Sequence, residues 1–231
     1  MWKVPVVLAV TVLVVLGLLN LGLITIAGSG TPRVRYQAEG MSPLAEPLAW
    51  SYDEFAEGSL PDGAEVLSEP RFGGWAVRAE GDAPSAPNAL CQTGVSEFPA
   101  LALSNAVLGD LTMTTRFKPI SGRVDQAAGL IFRIQDADNY YILRANALEG
   151  NVNLYKYAGG RRSLMKEGSA NVNNGEWQEL RVDVSGNHFT GFLNGQPVVE
   201  VADDAYPAGR VGLWTKADSV TCFDDTTVTA P

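Results

Sequence analysis

Five side chains in the second half of the chain have types and positions suited to holding a polar ligand: Arg133, Arg144, Tyr155, Trp214 and Lys216. Each is out of phase with the aliphatic residues of its own segment. Val211, Leu213 and Thr215 alternate with Arg210, Trp214 and Lys216, and Leu130, Phe132 and Ile134 alternate with Ile131, Arg133 and Gln135. Likewise Leu143 and Ala145 oppose Tyr140 and Arg144, and Val152 and Leu154 oppose Asn153, Tyr155 and Tyr157. Successive residues of a strand point to opposite faces, so burying the aliphatic set turns the five to the other side. Aromatic rings match the C–H face of a pyranose, while Arg, Lys and Asn hydrogen-bond its hydroxyls. The pattern predicts a sugar groove on one sheet. The alternative is that loops cover that face and the rings are a second packing layer.

Bond-breaking chemistry finds little support. Glycoside cleavage ordinarily needs two carboxyl groups flanking the bond, and the paired acids here, Asp136 with Asp138 and Asp203 with Asp204, fall in turn segments. His188 is the one histidine. That excludes a histidine-rich metal centre and nearly every Ser-His or Cys-His nucleophile. The formal charge of −9 argues against nucleic acid and anionic lipid, which call for basic patches.

The elements that must position these residues are strands. From residue 109 onward, runs of alternating hydrophobicity follow one another with turn residues between them, as at 136–139, 149–151, 159–160, 173–175 and 185–187. Asn194-Gly195 is the pair favoured in two-residue hairpin turns. Earlier, Trp75–Arg78 and Asn88–Gln92 read as short strands around a Pro-rich loop. The closing stretch from Gly209 to Val228 reads as two paired strands joined at Ala217-Asp218-Ser219, the second with Val220, Cys222, Thr226 and Val228 on one side and Phe223 and Asp225 on the other. With no convincing amphipathic helix and no fixed repeat, the domain is all-β, two facing antiparallel sheets in a jelly-roll sandwich.

Residues 4–28 carry no charge after Lys3. A bilayer span needs about 20 apolar residues and a secretory core about 7 to 15, so 1–30 is expected to be a retained transmembrane helix, with cleavage near Ala27 or Ser29 as the alternative. Residues 31–47 are a Pro- and Gly-containing linker, and 48–231 form the domain, expected outside the cytoplasm, in the periplasm or at the cell surface.

Four stretches carry a resemblance: AGLIFRIQDADNYYILRAN, Gly-Glu-Trp-Gln-Glu-Leu-Arg-Val, Phe-Leu-Asn-Gly-Gln-Pro-Val and GRVGLWTKADSVTCFDD. Together, over about residues 50–230, they resemble the concanavalin A-like jelly rolls, in particular the laminin-G-like and 3-keto-disaccharide hydrolase group. The resemblance implies sugar-related work outside the cytoplasm. That work is carbohydrate binding, or hydrolysis of (3-keto-)disaccharides or related glycosides; a structural or protein-interaction role in the envelope is the third reading. The Glu-x-Asp-x-x-Glu string of jelly-roll glucanases is absent, and no motif assigns catalytic residues. In related jelly rolls an acid near this end can bind a structural Ca²⁺. Here that implies Asp224 or Asp225, with carbonyls from 51–54; the alternative is that an Asp simply accepts hydrogen bonds from a loop. Jelly rolls also pair early and late strands, which implies a Cys91–Cys222 disulfide, against two buried thiols.

Overall fold

The computed structural model describes residues 44, 46–68 and 72–230. The expected span at 1–30 and nearly all of the linker lie outside the described residues, among which no helix is long and apolar enough to cross a membrane.

The described chain is a sandwich of two antiparallel sheets, with strands numbered in chain order. The first sheet contains β1 (Leu48–Trp50), β3 (Trp75–Ala79), β4 (Asn88–Gln92), β6 (Leu111–Ser121), β11 (Gln178–Ser185), β12 (His188–Leu193), β13 (Gln196–Ala202) and β15 (Val220–Thr229). Its order is β13-β12-β11-β6-β15-β4-β3, with β1 paired to the far half of β15. The second contains β2 (Glu65–Ser68), β5 (Ala100–Ala102), β7 (Ala127–Asp136), β8 (Asn139–Asn146), β9 (Asn151–Ala158), β10 (Arg161–Ser169) and β14 (Arg210–Trp214), in the order β10-β9-β8-β7-β14-β5-β2. The closing stretch is therefore not a hairpin. Its two strands belong to different sheets, and 215–219 carries the chain from one to the other.

Between the sheets, Leu130, Leu143, Leu154 and Leu213 meet Met113, Phe117, Leu180 and Phe223, all fully buried. The alternation read from sequence holds along β8, β9 and β14 and fails at two bulges. In β7 the register shifts around Arg133, which adopts a φ of 51°. An extra residue there re-aims everything beyond it, so Ile134 joins Ile131 on the outer side, not Leu130 and Phe132 on the inner. In β15 the register shifts between Asp224 and Thr227, with Asp225 at φ 44°. Phe223 and Val228 consequently share the core. Thr226 bonds the buried Tyr52 hydroxyl at 2.8 Å and the Thr115 hydroxyl at 2.7 Å, while Cys222 points to the outer side.

Arg133 departs most from expectation. It does not stand on the outer face expected from the alternation but is buried at one end of the sandwich. Nη1 donates to the Tyr206 carbonyl at 3.0 Å, and Nη2 to the carbonyls of Gly186 at 2.5 Å and Gly109 at 3.2 Å. The guanidinium lies 5.2 Å from the Phe189 ring centroid. A buried cation is tolerated when its donors are satisfied, and this one fastens a turn and two loops together. Gly209 makes room for the bulge: a Cβ there would sit 2.4 Å from the Arg133 carbonyl carbon.

Cys91 and Cys222 face each other directly across β4 and β15 and form a disulfide spanning 131 residues. Closing a loop of that length restricts the unfolded chain, a contribution of up to about 5 kcal/mol. Urea unfolding with and without reductant should show a loss of stability approaching that size, and the denatured, unreduced protein should titrate no thiol. Two free thiols would contradict the pairing.

Candidate ligand-binding face

The outer side of the seven-stranded sheet is built in two zones. At its centre stand small residues, Ala100, Ala102, Ala127, Gly129 and Gly212, and these let a large side chain lie flat. A Cβ on Gly129 would come within 3.1 Å of Trp214 Cε3, so the indole rests directly on the β7 backbone. Phe98 stacks above it, centroids 5.6 Å apart and planes inclined by 23°. Arg162, from the edge strand β10, closes the layer. Its guanidinium carbon lies 4.5 Å from the Tyr155 centroid, 4.9 Å from Phe98 and 5.7 Å from Trp214.

Trp214 is thus on the side that parity predicts but has no exposed surface. It is the floor of the face rather than a platform open to a ligand. Beside it Tyr140 and Tyr157 stack at 4.8 Å, and burial pushes the Tyr140 hydroxyl well above its ordinary pKa. Tyr140, Tyr157 and Phe98, with Leu67 and Asp138, line a shallow cavity of about 310 Å³.

The second zone is polar and joins three of the predicted residues. Arg144 Nη2 donates to Glu149 Oε2 and to Asn151 Oδ1, both at 2.6 Å, and its guanidinium lies 5.3 Å from the Tyr155 ring. The Tyr155 hydroxyl accepts from Asn153 Nδ2 at 3.0 Å. Lys216 Nζ pairs with Asp125 Oδ2 at 2.5 Å, and Asp125 Oδ1 accepts from Asn146 Nδ2 at 2.5 Å. Asn146 Oδ1 in turn accepts from the backbone N–H groups of Leu148 and Glu149. This links the Lys216 and Arg144 halves of the network. Desolvation alone would raise the Glu149 pKa, but hydrogen bonds from Arg144 and Asn151 and the Arg144 charge bring it below its ordinary value. Burial lowers the Arg162 guanidinium pKa.

Arg144, Tyr155, Trp214 and Lys216 therefore share one face, and Arg133 does not. Sequence reasoning missed Arg162, Asp125, Glu149, Asn146 and Asn151. Arg162 could have been found by carrying the alternation across the 159–160 turn, since it pairs with Tyr157. Asp125 and Glu149 lie in connections, where alternation gives no signal.

Asp224 and Asp225 are separated by their bulge. Asp224 is fully buried, and its carboxylate accepts from Ser85 N at 2.8 Å, Ser85 Oγ at 2.9 Å and Asp225 N at 2.7 Å, while Asp225 is exposed. Desolvation raises the Asp224 pKa despite those bonds. These bonds fasten the Ser85 loop to β15. Among the described residues the grouping with metal-ligand types in reach of one another is Glu80 with Cys91 and Cys222, and its two sulfurs are joined in the disulfide.

Two antiparallel sheets in this order, with a polar zone on one outer face, define a concanavalin A-like jelly roll. The chain belongs to the 3-keto-alpha-glucoside-1,2-lyase-like domain family, which matches residues 66–229. It is similar to the levanase of Bacillus subtilis (strain 168), 25% identical over 142 residues. That match covers 61% of this chain but spans only 20% of the levanase. In fold it is similar to the carbohydrate binding module CBM66 from Bacillus subtilis, with a TM-score of 0.60, 22% identity, and 73% of this chain and 96% of that one covered. It is also similar to the GH43 protein BlXynB from Bacillus licheniformis, with a TM-score of 0.56, 13% identity, and 87% of this chain and 41% of that one covered.

Because apolar layers lie on both sides of β14, substitutions facing either way should destabilise. Trp214→Ala should cost about 3 to 5 kcal/mol and Leu213→Ala about 2 to 5 kcal/mol in urea unfolding. An unchanged midpoint for Trp214→Ala would mean that Phe98 and Arg162 do not cover the indole.

Proposed function

We propose that this domain is an extracytoplasmic carbohydrate-binding module whose ligand sits on the outer side of the seven-stranded sheet, tethered through residues 1–30. The observation that carries the reading is the network of Arg144, Glu149, Asn151, Asn153 and Tyr155. It sets guanidinium, carboxylate and amide groups beside an aromatic ring on a rigid sheet. Sugar hydroxyls both donate and accept, so a site for them needs both kinds of group in fixed positions. The names of the family, of the CBM66 module and of the levanase lend support to a sugar ligand.

Glycoside cleavage is the second reading, favoured by the family description. Asp125 and Glu149 are the carboxylates it would use: Asn146 Nδ2 bonds the Asp125 carboxylate, and Asn146 Oδ1 accepts from the Glu149 backbone N–H. The lowered pKa of Glu149 suits a hydroxyl acceptor or a base and disfavours a general acid, which needs a raised value. Binding without release of sugar from a glycoside panel supports the module; release supports the enzyme.

Glu149 is the exposed member of the network and Arg144, itself buried, positions it; Arg144→Ala should therefore weaken sugar binding by tenfold or more in calorimetry. Glu149 holds Arg144 only while ionised. With its pKa lowered, that contact is complete above the ordinary glutamate range and is lost as pH falls below it, through the depressed value. Affinity should therefore be level from about pH 6 to 8 and drop in that acidic window. Affinity that instead falls as pH rises through neutrality would contradict the assignment. Amino-terminal sequencing of the mature protein tests the tether: a start near Gly28 or Gly30 would show a cleaved signal.

A further inference from the structure

We infer that the ligand is an acidic saccharide, whose carboxylate is taken by the guanidinium of Arg162 beside that of Arg144. This rests on the carbohydrate reading above and narrows it to a substrate class.

Direct ion pairs on this face leave one guanidinium out. Arg144 is paired with Glu149 and Lys216 with Asp125. Arg210, on the same side of β14, is paired with Glu65, whereas Arg162 makes no ion pair among the described residues; its neighbours are the rings of Tyr155, Phe98 and Trp214. A chain with a formal charge of −9 thus keeps on this face one guanidinium with no carboxylate in direct contact, Asp125 and Glu149 acting on it only at longer range.

Two guanidinium donors are also left without acceptors. Arg162 Nη1 and Arg144 Nε are both shielded from solvent and have no hydrogen-bond acceptor. Shielded donors left unpaired are costly, and guanidinium donors more so than neutral ones. The two guanidinia lie within 4.5 and 5.3 Å of the same Tyr155 centroid. The Arg144 charge bears on Arg162; Asp125 and Glu149 offset part of that repulsion at a distance, but neither bonds Arg162. A neutral sugar would supply acceptors but leave the rest of that repulsion in place. A carboxylate supplies two coplanar oxygens matched to a guanidinium fork, and the charge as well. The rings hold Arg162 in place, so little side-chain freedom is lost when it is engaged.

Calorimetric titration of the full chain with glucuronate, galacturonate and mannuronate, each against its neutral parent sugar, tests the inference. At least one uronate should bind ten times more tightly than its parent at low salt, and the advantage should shrink as salt rises. Arg162→Gln should remove the advantage, and Arg162→Lys, which keeps the charge but not the fork, should retain part of it. Thermal midpoints of both variants confirm folding, and the salt dependence of the unaltered chain needs no variant at all. Neutral sugars bound as tightly as uronates would overturn the acidic assignment while leaving the carbohydrate reading intact. Tighter binding of the 6-sulfate or 6-phosphate of the same parent would overturn the carboxylate as the recognised group. Failure of every sugar to bind would overturn both readings.

Discussion

One guanidinium shared among three aromatic rings orders the outer side of the seven-stranded sheet. Arg162 comes from the edge strand β10, Tyr155 from its neighbour β9, Trp214 from the far side of β7, and Phe98 from the loop before β5. Desolvated contacts of this kind contribute roughly 2 kcal/mol or more. This one fixes a loop, a strand edge and the sheet centre relative to one another. Gly129 is the backbone condition for it, because only there can the indole settle low enough for Phe98 to stack above. The polar zone stands on ground that this layer has already made rigid.

The sandwich is therefore three layers deep on one side. Most two-sheet folds leave outer faces to water, yet β7, β8 and β14 carry Ile131, Ile142 and Trp214 outward in a second buried cluster. Covering an outer face with apolar side chains concentrates the polar ones at its margin, where Arg144, Asn146, Asn151 and Asn153 are nevertheless buried. Buried polar groups persist where they are hydrogen-bonded, and a connected set fixes each member's geometry. The outer side of the first sheet is arranged otherwise. There the disulfide lies beside Lys118, which bonds Glu80 at 3.0 Å and Asp82 at 2.6 Å under the Trp177 ring. One ammonium faces two carboxylates there, so that cluster holds no cation without a partner.

The fold class was legible because alternation survives wherever strands are long and regular, as in β6, β8, β9 and β11. The short strands β1, β2 and β5 were not read as strands; three or four residues such as Ala100–Ala102 contain too little pattern to register. Parity named Arg144, Tyr155, Trp214 and Lys216 as one face, because no bulge lies between the aliphatic markers and these residues. It misplaced Arg133 and Ile134, since the bulge sits at Arg133 itself and a one-residue insertion reverses everything after it. Parity also says which way a side chain points and nothing of what lies over it, so the burial of Trp214 under Phe98 could not be foreseen. The closing stretch misled for a related reason: two strands and a short polar link look alike whether they pair or cross between sheets.

The proposed ligand site is the outer side of the seven-stranded sheet at the Tyr155 corner. Amide chemical-shift mapping during titration with the tightest-binding saccharide tests it most directly. The perturbed residues should gather at Arg144, Glu149–Tyr155 and Arg162, with the strands around Cys91 and Cys222 silent. Perturbation centred instead on β3, β4 and the Lys118 cluster would contradict it.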